Sequence, residues 1–543
     1  MNAVTRYFAT FRSAPDDAPF VTLLSGADRE AVSWGAFRRM CYAAANMMTD
    51  RGIGRGDVVL IFHPHQRWLL PSFFGAQLIG AIPSFMPPMN ARQDAALFRG
   101  SHARLIAELN PALILVDERT AAALGDVDAP TLMLDAFDDV SLADVRAVFD
   151  AVDGPALLQH SSGTTGLKKG VVLGYDAIMA QIDGYGAALN LDGGETIVSW
   201  LPVYHDMGLI AATVLPFVTG TPLTVMGAFD WLAQPWRLLT EMAAVPHALS
   251  WLPNFAFASM TRTISRVPPD LRLDGIRGFI NCSEPCKPET VDRFVDALAS
   301  RGVRPEHVQA CYAMAETVFA VSQSRLGEAP RRWTPTAQPD AGGGTQPQRP
   351  LISCGPPIAT VQVEIRDAAG AALGEDAVGE IHVAGPSLFD GYRGQPALTA
   401  RRLRDGWYAT GDLGALHAGE LYVAGRFDDL IIVAGRSLYA HEIEEEVSRV
   451  DGIKPGRVCA FGVANADTGT EDLVVLAELL SPDDTGVERA VRERLAGTVL
   501  VSSAHIVPLP LDTLIKTTSG KISRSENRAR FERGELTSWQ DSR

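Results

Sequence analysis

The sequence predicts an α/β protein with a large N-terminal domain of doubly wound sheets, which includes a β-rich subdomain, and a small, mobile α+β C-terminal domain. Three observations favour this class. Short apolar runs alternate with helical patterns, a segment rich in Pro, Gly and Gln interrupts them, and a strand–helix–strand pattern lies near the C-terminal end. We place the first domain at residues 1–425, its β-rich subdomain at about 351–425, and the second domain at 426–543.

The first domain is predicted from buried strands that alternate with amphipathic helices. The apolar runs typical of buried parallel strands are Val58–Phe62, Ala112–Val116, Ala156–Leu158 and Gly278–Ile280. Residues 94–109 have a helical pattern with Asp94 as a suitable N-cap, and residues 287–298 have another with Pro288 near its start. This alternation indicates parallel sheets with helices packed on both faces.

The remaining elements indicate a change of architecture. Residues 326–350 form a surface segment rich in Pro, Gly and Gln, and the alternating runs Val361–Arg366 and Gly379–Ala384 behind it are typical of antiparallel strands. The last unit has a predicted strand at Leu430–Val433, a helix at His441–Val450 and a strand at Leu473–Ala477. We therefore expect a small α+β domain at this end of the chain.

Bulk properties exclude several classes of partner. The formal net charge of the 543 residues is −16, which argues against non-specific binding to nucleic acid or to anionic membranes. No run approaches the roughly 18 apolar residues that a membrane span needs, and the first residues do not resemble a secretory signal. The six cysteines are too scattered for a zinc site. We expect reduced structural thiols and a cytoplasmic protein.

The most informative stretch is glycine-rich and follows the apolar run at residues 156–158. Gly163, Gly166 and Gly170 allow tight turns that bring backbone N–H groups to a phosphate. Hydroxyl donors and positive charge come from Ser161, Ser162, Thr164, Thr165, Lys168 and Lys169. The Gly-Lys-Ser/Thr ending of a Walker loop does not occur here. The stretch therefore predicts a polyphosphate cradle of another kind, with a solvated loop as the alternative when it is taken alone.

Two further clusters contain polar residues at predicted site positions. His205 and Asp206 follow two aromatic residues, Trp200 and Tyr204, which favours a site-lining role over a purely structural one. The second cluster, Ser283-Glu284-Pro285, follows a predicted strand, and in open α/β sheets ligands bind at such carboxyl ends. Taken alone, this cluster is better explained as a strand-to-helix loop with a solvated glutamate.

Three more clusters carry residue types that suit a nucleotide. Tyr312 and Glu316 stand four residues apart, on one helical turn or one tight loop, where the ring suits a purine and the carboxylate suits Mg²⁺. Asp412 in a tight turn suits ribose hydroxyls, and Arg426 suits ribose or phosphate. Lys521, beside a glycine on a polar loop, suits the charge that develops on an α-phosphate. Each residue has an ordinary structural explanation when considered alone.

Together and in this order, the six clusters resemble the acyl-adenylate-forming superfamily of acyl-CoA synthetases, luciferases, peptide-synthetase adenylation domains and fatty acyl-AMP ligases. The resemblance covers the chain from about Ser33 to Arg524. The segments most similar to fatty acyl-AMP ligases are Trp200–Leu209, Asn281–Pro285, Leu351–Gly355, Asp429–Arg436 and Thr517–Ile522. Lys168 departs from the family, which usually has proline there, and Ala313 replaces a common glycine.

The resemblance implies an enzyme that uses ATP and Mg²⁺ to convert a carboxylic acid, here a fatty acid, to an acyl-adenylate. The implied catalytic residues are Lys521, His205 and Glu316, with Glu316 and Thr164 at the metal. The implied ATP-binding residues are Ser161, Ser162, Gly163, Thr164, Thr165, Gly166, Lys169, Ser283, Glu284, Pro285, Tyr312, Asp412 and Arg426. Asp428 stands where the family has a hinge between its two domains.

The favoured branch passes the acyl group to the phosphopantetheine thiol of an acyl carrier protein. That branch carries an extra segment that hinders the swing of the C-terminal domain into the CoA-using pose, and residues 326–350 lie near its expected place. The alternatives are an acyl-CoA synthetase of the same fold, an inactive binding scaffold and an amino-acid-activating domain. Retention of Lys169, Glu316, Asp412 and Lys521 argues against a scaffold, and no obvious acidic residue is placed to hold an α-amino group.

Overall fold

A computed structural model describes residues 1–62, 64–89, 95–137, 141–142, 145–161, 169–335, 349–433, 436–465, 470–481, 486–498, 504–516 and 521–536. The α-helices within these ranges are α1 Ala3–Tyr7, α2 Ala9–Ser13, α3 Trp34–Thr49, α4 Leu69–Leu78, α5 Ala95–Leu109, α6 Glu118–Leu124, α7 Tyr175–Ala188, α8 Leu215–Thr219, α9 Ala228–Ala233, α10 Arg237–Ala243, α11 Asn254–Arg262, α12 Pro288–Leu298, α13 Pro396–Arg402, α14 Ala440–Ser448, α15 Val487–Thr498 and α16 Arg524–Glu532.

The strands in the first part of the chain are β1 Pro19–Ser25, β2 Asp28–Ser33, β3 Val58–Phe62, β4 Ile82–Met86, β5 Leu113–Val116, β6 Thr131–Met133, β7 Pro155–Ser161, β8 Lys169–Gly174, β9 Thr196–Ser199, β10 Leu223–Met226, β11 Ala248–Leu252, β12 Gly278–Asn281, β13 Val308–Ala313 and β14 Ala320–Gln323. The later strands are β15 Arg332–Trp333, β16 Leu351–Ile352, β17 Gln362–Arg366, β18 Gly379–Ala384, β19 Gly391–Tyr392, β20 Leu403–Arg404, β21 Trp407–His417, β22 Glu420–Arg426, β23 Leu430–Val433, β24 Arg436–Tyr439, β25 Ile453–Asn465, β26 Thr470–Leu479 and β27 Ala504–Leu509.

Two largely parallel sheets form the frame of the molecule. The larger has the strand order β14-β13-β12-β11-β9-β10-β1-β2, with parallel pairing from β13 through β1 and antiparallel pairing at both edges. The smaller has the order β4-β3-β5-β6 and is parallel throughout. The predicted parallel strands at residues 58–62, 112–116 and 278–280 are confirmed, and so is the α/β fold class.

The predicted parallel strand at Ala156–Leu158 is wrong, because β7 pairs antiparallel with β8 and β8 pairs antiparallel with β19. Only residues 162–168 separate β7 from β8. Such a short connection joins an antiparallel hairpin, since a parallel crossover needs about a dozen residues or more. The apolar side chains of β7 are buried on either side, which is why the run looked like a strand of a parallel sheet.

The later part of the chain is built mainly from antiparallel strands. Strands β17, β18, β21, β20 and β22 form one sheet, so the alternating pattern read at residues 361–366 and 379–384 is confirmed. Further along, β23 pairs with β24, and β25, β26 and β27 form a separate sheet. Buried apolar residues from Ile431 onward form clusters of their own, whereas the largest cluster ends at Leu421.

Two predictions from the sequence concern the cysteines and membrane-spanning segments. All six cysteines lie within the described ranges and are free, and only Cys286 is not fully buried. Among the helices of the described segments, none combines the length and the apolar character needed to cross a bilayer.

Candidate active site

The two described ends of the glycine-rich stretch lie on the paired strands β7 and β8. Ser161 ends β7 and pairs with Lys169, the first residue of β8. Ser162, Gly163, Thr164, Thr165 and Gly166 lie outside the described residues. The structure therefore places the two ends of the predicted polyphosphate cradle at one point of the fold.

Lys169 lies close to the predicted metal-binding carboxylate. Its ammonium nitrogen is 5.4 Å from the centroid of the Tyr392 ring, and the Tyr392 hydroxyl donates a 2.7 Å hydrogen bond to Glu316 Oε1. Burial lowers the pKa of Lys169, and the Glu316 charge raises it in part. The two residues assigned to phosphate and metal are thus brought together across one tyrosine ring.

Glu316 lies on a strained turn. It belongs to a single 3₁₀ turn, Ala315–Thr317, which follows β13, so the tight-loop alternative for Tyr312 and Glu316 is the one that forms. Val318 closes the turn with φ +66°, a conformation that costs a β-branched residue free energy and often occurs at functional sites. The Phe389 N–H donates to the Glu316 carbonyl oxygen at 2.9 Å and helps hold the turn in place.

The histidine cluster lies at the start of an irregular helix. His205 Nδ1 and Asp206 Oδ1 are 2.6 Å apart, and the same carboxylate oxygen accepts a 2.8 Å hydrogen bond from the Met207 N–H. Residues Met207–Val214 form a π-helix, an arrangement frequent at functional sites. Burial raises the pKa of Asp206, but His205 and nearby donors outweigh it, and the net pKa is lowered.

In the Ser283-Glu284-Pro285 turn the glutamate is half-buried and hydrogen-bonded. Ser283 has φ +69°, and Glu284 Oε2 accepts a 3.0 Å hydrogen bond from the Phe255 N–H in the first turn of α11. A carboxylate at a helix N-terminus satisfies a free N–H group and interacts favourably with the helix dipole. Glu284 therefore fastens the strand-end turn to α11. The cluster is a strand-to-helix loop between β12 and α12, as expected, but its glutamate is hydrogen-bonded to the backbone rather than simply solvated.

Tyr312, Asp412 and Arg426 form one connected group. The Tyr312 hydroxyl donates a 2.6 Å hydrogen bond to Asp412 Oδ2, and Arg426 Nε lies 3.3 Å from Asp412 Oδ1. Burial is the main cause that raises the pKa of Asp412, and Arg426 and the Tyr312 hydrogen bond oppose it. Tyr312 and Asp412, 100 residues apart in sequence, are in direct contact because the end of β13 lies beside the middle of β21. The predicted tight turn at Asp412 is wrong, because this residue belongs to β21 and pairs with Arg426 of β22.

Lys521 reaches this group from the far end of the chain. Its ammonium donates a hydrogen bond to the Ser283 carbonyl oxygen, so the terminal loop contacts the strand-end turn. Burial lowers the pKa of Lys521, whereas the charges of Glu284 and Asp206 raise it and that of Arg426 lowers it. These charges act on Lys521 because residues from three other sequence clusters lie near it.

The residues present fit a magnesium ion held mainly by the nucleotide. In the part of the chain that the structure describes, no group of three or more His, Cys, Asp and Glu side chains is placed to hold a metal. Glu316 offers one buried carboxylate, and Mg²⁺ commonly binds through one or two carboxylates together with substrate phosphates. The second predicted ligand, Thr164, lies outside the described residues.

Sequence reasoning missed Tyr392, Tyr408 and Phe389, which surround Glu316. The ring centroids of Tyr392 and Tyr408 lie 4.9 Å and 5.4 Å from that of Phe389, and the two hydroxyl oxygens are 3.0 Å apart. Tyr408 stands within the Asp412 cluster and could have been noticed there. Tyr392 gave no comparable signal, because nothing local relates it to Glu316.

Comparison with known proteins identifies the class to which this fold and site belong. The model of the AMP-binding enzyme family matches residues 8–393, so the chain belongs to that family of enzymes. The resemblance to the acyl-adenylate-forming superfamily, and within it to fatty acyl-AMP ligases, is confirmed, and the chain is an enzyme of the ligase type.

Individual relatives cover nearly the whole chain. The long-chain-fatty-acid–AMP ligase FadD26 of Mycobacterium marinum is 29% identical over 551 residues, which cover 91% of this chain and 90% of that protein. FadD25 of Mycobacterium tuberculosis, provisionally named a fatty-acid–CoA ligase, is 29% identical over 565 residues, which cover 94% of this chain and 93% of that protein. A solved structure from work on fatty acyl-adenylate ligases of E. coli and L. pneumophila has a TM-score of 0.87 at 25% identity, with 98% of each chain covered.

Proposed function

We propose that this protein uses ATP and Mg²⁺ to activate a fatty acid as its acyl-adenylate and then transfers the acyl group to the phosphopantetheine thiol of an acyl carrier protein. The contact between Lys521 and the Ser283 carbonyl oxygen carries the proposal. It brings a half-buried cation to the turn beside the tyrosine, carboxylate and arginine that suit a nucleotide. The name of one relative, the long-chain-fatty-acid–AMP ligase FadD26, supports a fatty acid as the substrate and adenylate formation as the reaction.

The proposed first step joins the acid to AMP. A carboxylate oxygen attacks the α-phosphorus, the bond from that phosphorus to the bridging oxygen breaks, and pyrophosphate leaves with the electron pair. Such chemistry depends mainly on positioning and charge stabilisation. Lys521 would contact the acid and the α-phosphate, and Lys169 with the glycine-rich stretch would hold the departing pyrophosphate. Bound Mg²⁺, held by Glu316 and phosphate oxygens, would neutralise phosphate charge.

The remaining assigned residues would hold the nucleotide and the acid. Asp412 and Arg426 suit the ribose, and Tyr312 and the Ser283–Pro285 turn suit the adenine. His205, held next to Asp206, would face the acid. The aromatic residues near it include Trp200, whose ring stacks on Trp231 with centroids 3.8 Å apart. Such apolar surroundings are typical of a site for an acyl chain.

The second step transfers the acyl group to a thiol. The thiolate sulfur, its proton lost to solvent, attacks the carbonyl carbon, and AMP leaves. We propose two domains that divide at residue 426 with Asp428 as the hinge, and the separate apolar clusters on either side of this position support the division. A cytoplasmic location also remains a prediction.

The choice of a carrier protein over free CoA rests on how the C-terminal part is fastened. Arg349, at the end of the 326–350 segment, donates a 2.6 Å hydrogen bond to Glu446 Oε1 on α14. Lys287, the N-cap residue of α12, lies 3.1 Å from Glu445 Oε2 on the same helix. These ion pairs favour the present arrangement over a rotated one. The segment would thereby hinder the swing that CoA use requires.

One assay tests both steps. The protein is incubated with ATP, Mg²⁺ and a panel of carboxylic acids, and pyrophosphate release and acyl-AMP are measured. Active samples then receive either CoA or a phosphopantetheinylated carrier protein. We expect adenylate formation with fatty acids and faster transfer to the carrier. Efficient acyl-CoA formation would move the protein to the CoA-using class, and nucleotide binding without adenylate from any acid would indicate a scaffold.

A further inference from the structure

Tyr392 lies at a junction between the two parts of the site that handle phosphate and metal. Its strand, β19, pairs antiparallel with β8, with Tyr392 opposite Val171. The next residue, Arg393, donates its N–H to the Gly170 carbonyl oxygen at 2.8 Å. The backbone of Tyr392 is therefore fixed to the hairpin arm that begins with Lys169.

The side chain of Tyr392 extends from this arm to Glu316. Its hydroxyl donates to Glu316 Oε1 at 2.7 Å, and the Tyr408 hydroxyl oxygen lies 3.0 Å away. A phenol has a single proton to donate, so Tyr408 is the donor in its bond to Tyr392. The result is a chain of two hydroxyls that ends on one carboxylate oxygen.

Both hydroxyls remain donors under ordinary conditions. An ordinary phenol loses its proton only at about pH 10, well above neutral. A hydrogen bond to an ionised carboxylate is shorter and stronger than one between neutral groups. The Tyr392 hydroxyl thus fixes the position of Glu316 Oε1.

The ring of Tyr392 makes a second contact. The Lys169 ammonium lies 5.4 Å from its centroid, within the range of a cation–π interaction. Phe389 packs against the rings of both Tyr392 and Tyr408 and also donates its N–H to the Glu316 carbonyl oxygen. The Tyr392 side chain therefore contacts both the lysine assigned to phosphate and the carboxylate assigned to the metal.

We propose that Tyr392, supported by Tyr408, is a positioning residue that holds Glu316 and Lys169 in a fixed relation, so that the metal and the pyrophosphate end of ATP bind together. This inference rests on the proposed function, because it assigns Glu316 to the metal. Partners of metal ligands commonly change metal affinity by about 10- to 100-fold when they are removed. Tyr392→Phe should therefore weaken metal binding while it keeps the ring under Lys169.

The test measures binding rather than turnover. A non-hydrolysable ATP analogue with a methylene group between the α- and β-phosphorus is titrated calorimetrically with and without Mn²⁺, and electron paramagnetic resonance follows the enzyme-bound Mn²⁺. We expect Tyr392→Phe to weaken Mn²⁺-dependent binding about tenfold and to leave metal-free binding of the analogue unchanged. Tyr392→Leu, which also removes the ring, should weaken metal-free binding as well, because Lys169 loses its support.

Two further variants make the test specific. Tyr408→Phe should reproduce the metal effect in weaker form, since it removes only the outer hydroxyl. Tyr175→Phe is the matched control. Tyr175 is buried and follows the end of β8 opposite to Lys169, and its ring packs on Tyr7 and Phe8, so this variant should bind as the wild type does.

The possible results distinguish a failure of the proposed function from a failure of the positioning role of Tyr392. Wild-type protein that binds the analogue with no contribution from Mn²⁺ would contradict the proposed function itself. Wild-type protein with a clear Mn²⁺ contribution that Tyr392→Phe and Tyr408→Phe leave intact would overturn the positioning role alone. Equal losses of metal-free and metal-dependent binding in Tyr392→Phe would also overturn it, because they would indicate general damage to the site.

Discussion

The ammonium of Lys521 donates a hydrogen bond to the main-chain carbonyl oxygen of Ser283, although 238 residues separate them in the sequence. Ser283 has a positive φ, so its carbonyl belongs to a strained turn at the end of β12. The contact places Lys521 at the carboxyl end of β12, a strand of the larger sheet. It defines the position from which Lys521, the last residue assigned to the site, can act.

Replacement of Lys521 by alanine should abolish adenylate formation without unfolding the protein. A preorganised charge aimed at a transition state typically contributes about 10²–10³ in rate. The check is pyrophosphate release at saturating ATP and acid, with thermal unfolding as the control for folding. Acyl-AMP formation at the parent rate would show that Lys521 has another role.

Asp412 should make ATP binding sensitive to acid. Because burial raises its pKa above the ordinary value, Asp412 takes up a proton at a higher pH than an exposed aspartate would. A protonated carboxyl accepts fewer hydrogen bonds from ribose hydroxyls, so the KM for ATP should rise as the pH falls below neutral. Asp412→Asn should show a high KM for ATP, raised about tenfold or more, that no longer changes with pH.

The comparison needs the wild type and Asp412→Asn measured across the same pH series. The KM for the acid serves as the internal control, because Asp412 is assigned to the nucleotide only. A wild-type KM for ATP that stays level down to the acid limit of folding would contradict the ribose assignment.

Asp428→Pro should separate the two half-reactions. Asp428 lies in the 3₁₀ turn Phe427–Asp429, between the two sets of apolar clusters. Proline fixes φ, so a hinge at this position would lose the freedom to rotate. We expect adenylate formation within about twofold of the parent and thioester formation slowed by at least about tenfold. Asp428→Ala, which keeps the backbone free, is the matched control, and equal loss of both steps would exclude a hinge role.

Arg349→Met should loosen the C-terminal part of the protein. Glu446 is almost fully buried and also accepts hydrogen bonds from Arg449 and Arg494, so α14 should stay folded without Arg349. Loss of the Arg349–Glu446 ion pair, which contributes about 1 kcal/mol, should raise the rate of acyl transfer to free CoA about fivefold.

The matched control for this prediction is Arg332→Met. Arg332 belongs to the same 326–350 segment, but it pairs with Asp292 on α12 rather than with a residue of α14. It should leave the CoA rate unchanged. An unchanged rate in Arg349→Met as well would show that this ion pair does not restrain the domain.

Much of the fold was predictable because it depends on local pattern. The apolar runs at 58–62 and 278–280 form parallel strands, since strands buried on both faces need uninterrupted apolar residues. The run at 156–158 is also apolar but belongs to a hairpin, and the length of its connection to β8 decides the pairing. Composition alone does not distinguish the two arrangements.

The site was predictable as an ordered set of clusters, but its internal contacts were not. Nothing in the local sequence relates Tyr392 to Glu316 or shows that Glu284 caps α11. These contacts join residues far apart along the chain, so they exist only after the sheets have packed.

The sequence by itself determined the fold class and the residue types available for chemistry, because hydrophobic periodicity and turn residues act over a few positions. Only the tertiary structure decided which groups meet, such as Lys521 with Ser283 and Lys169 with Tyr392. The physical reason is that hydrogen bonds and cation–π contacts require separations of a few ångströms, and only the packing of distant elements creates these.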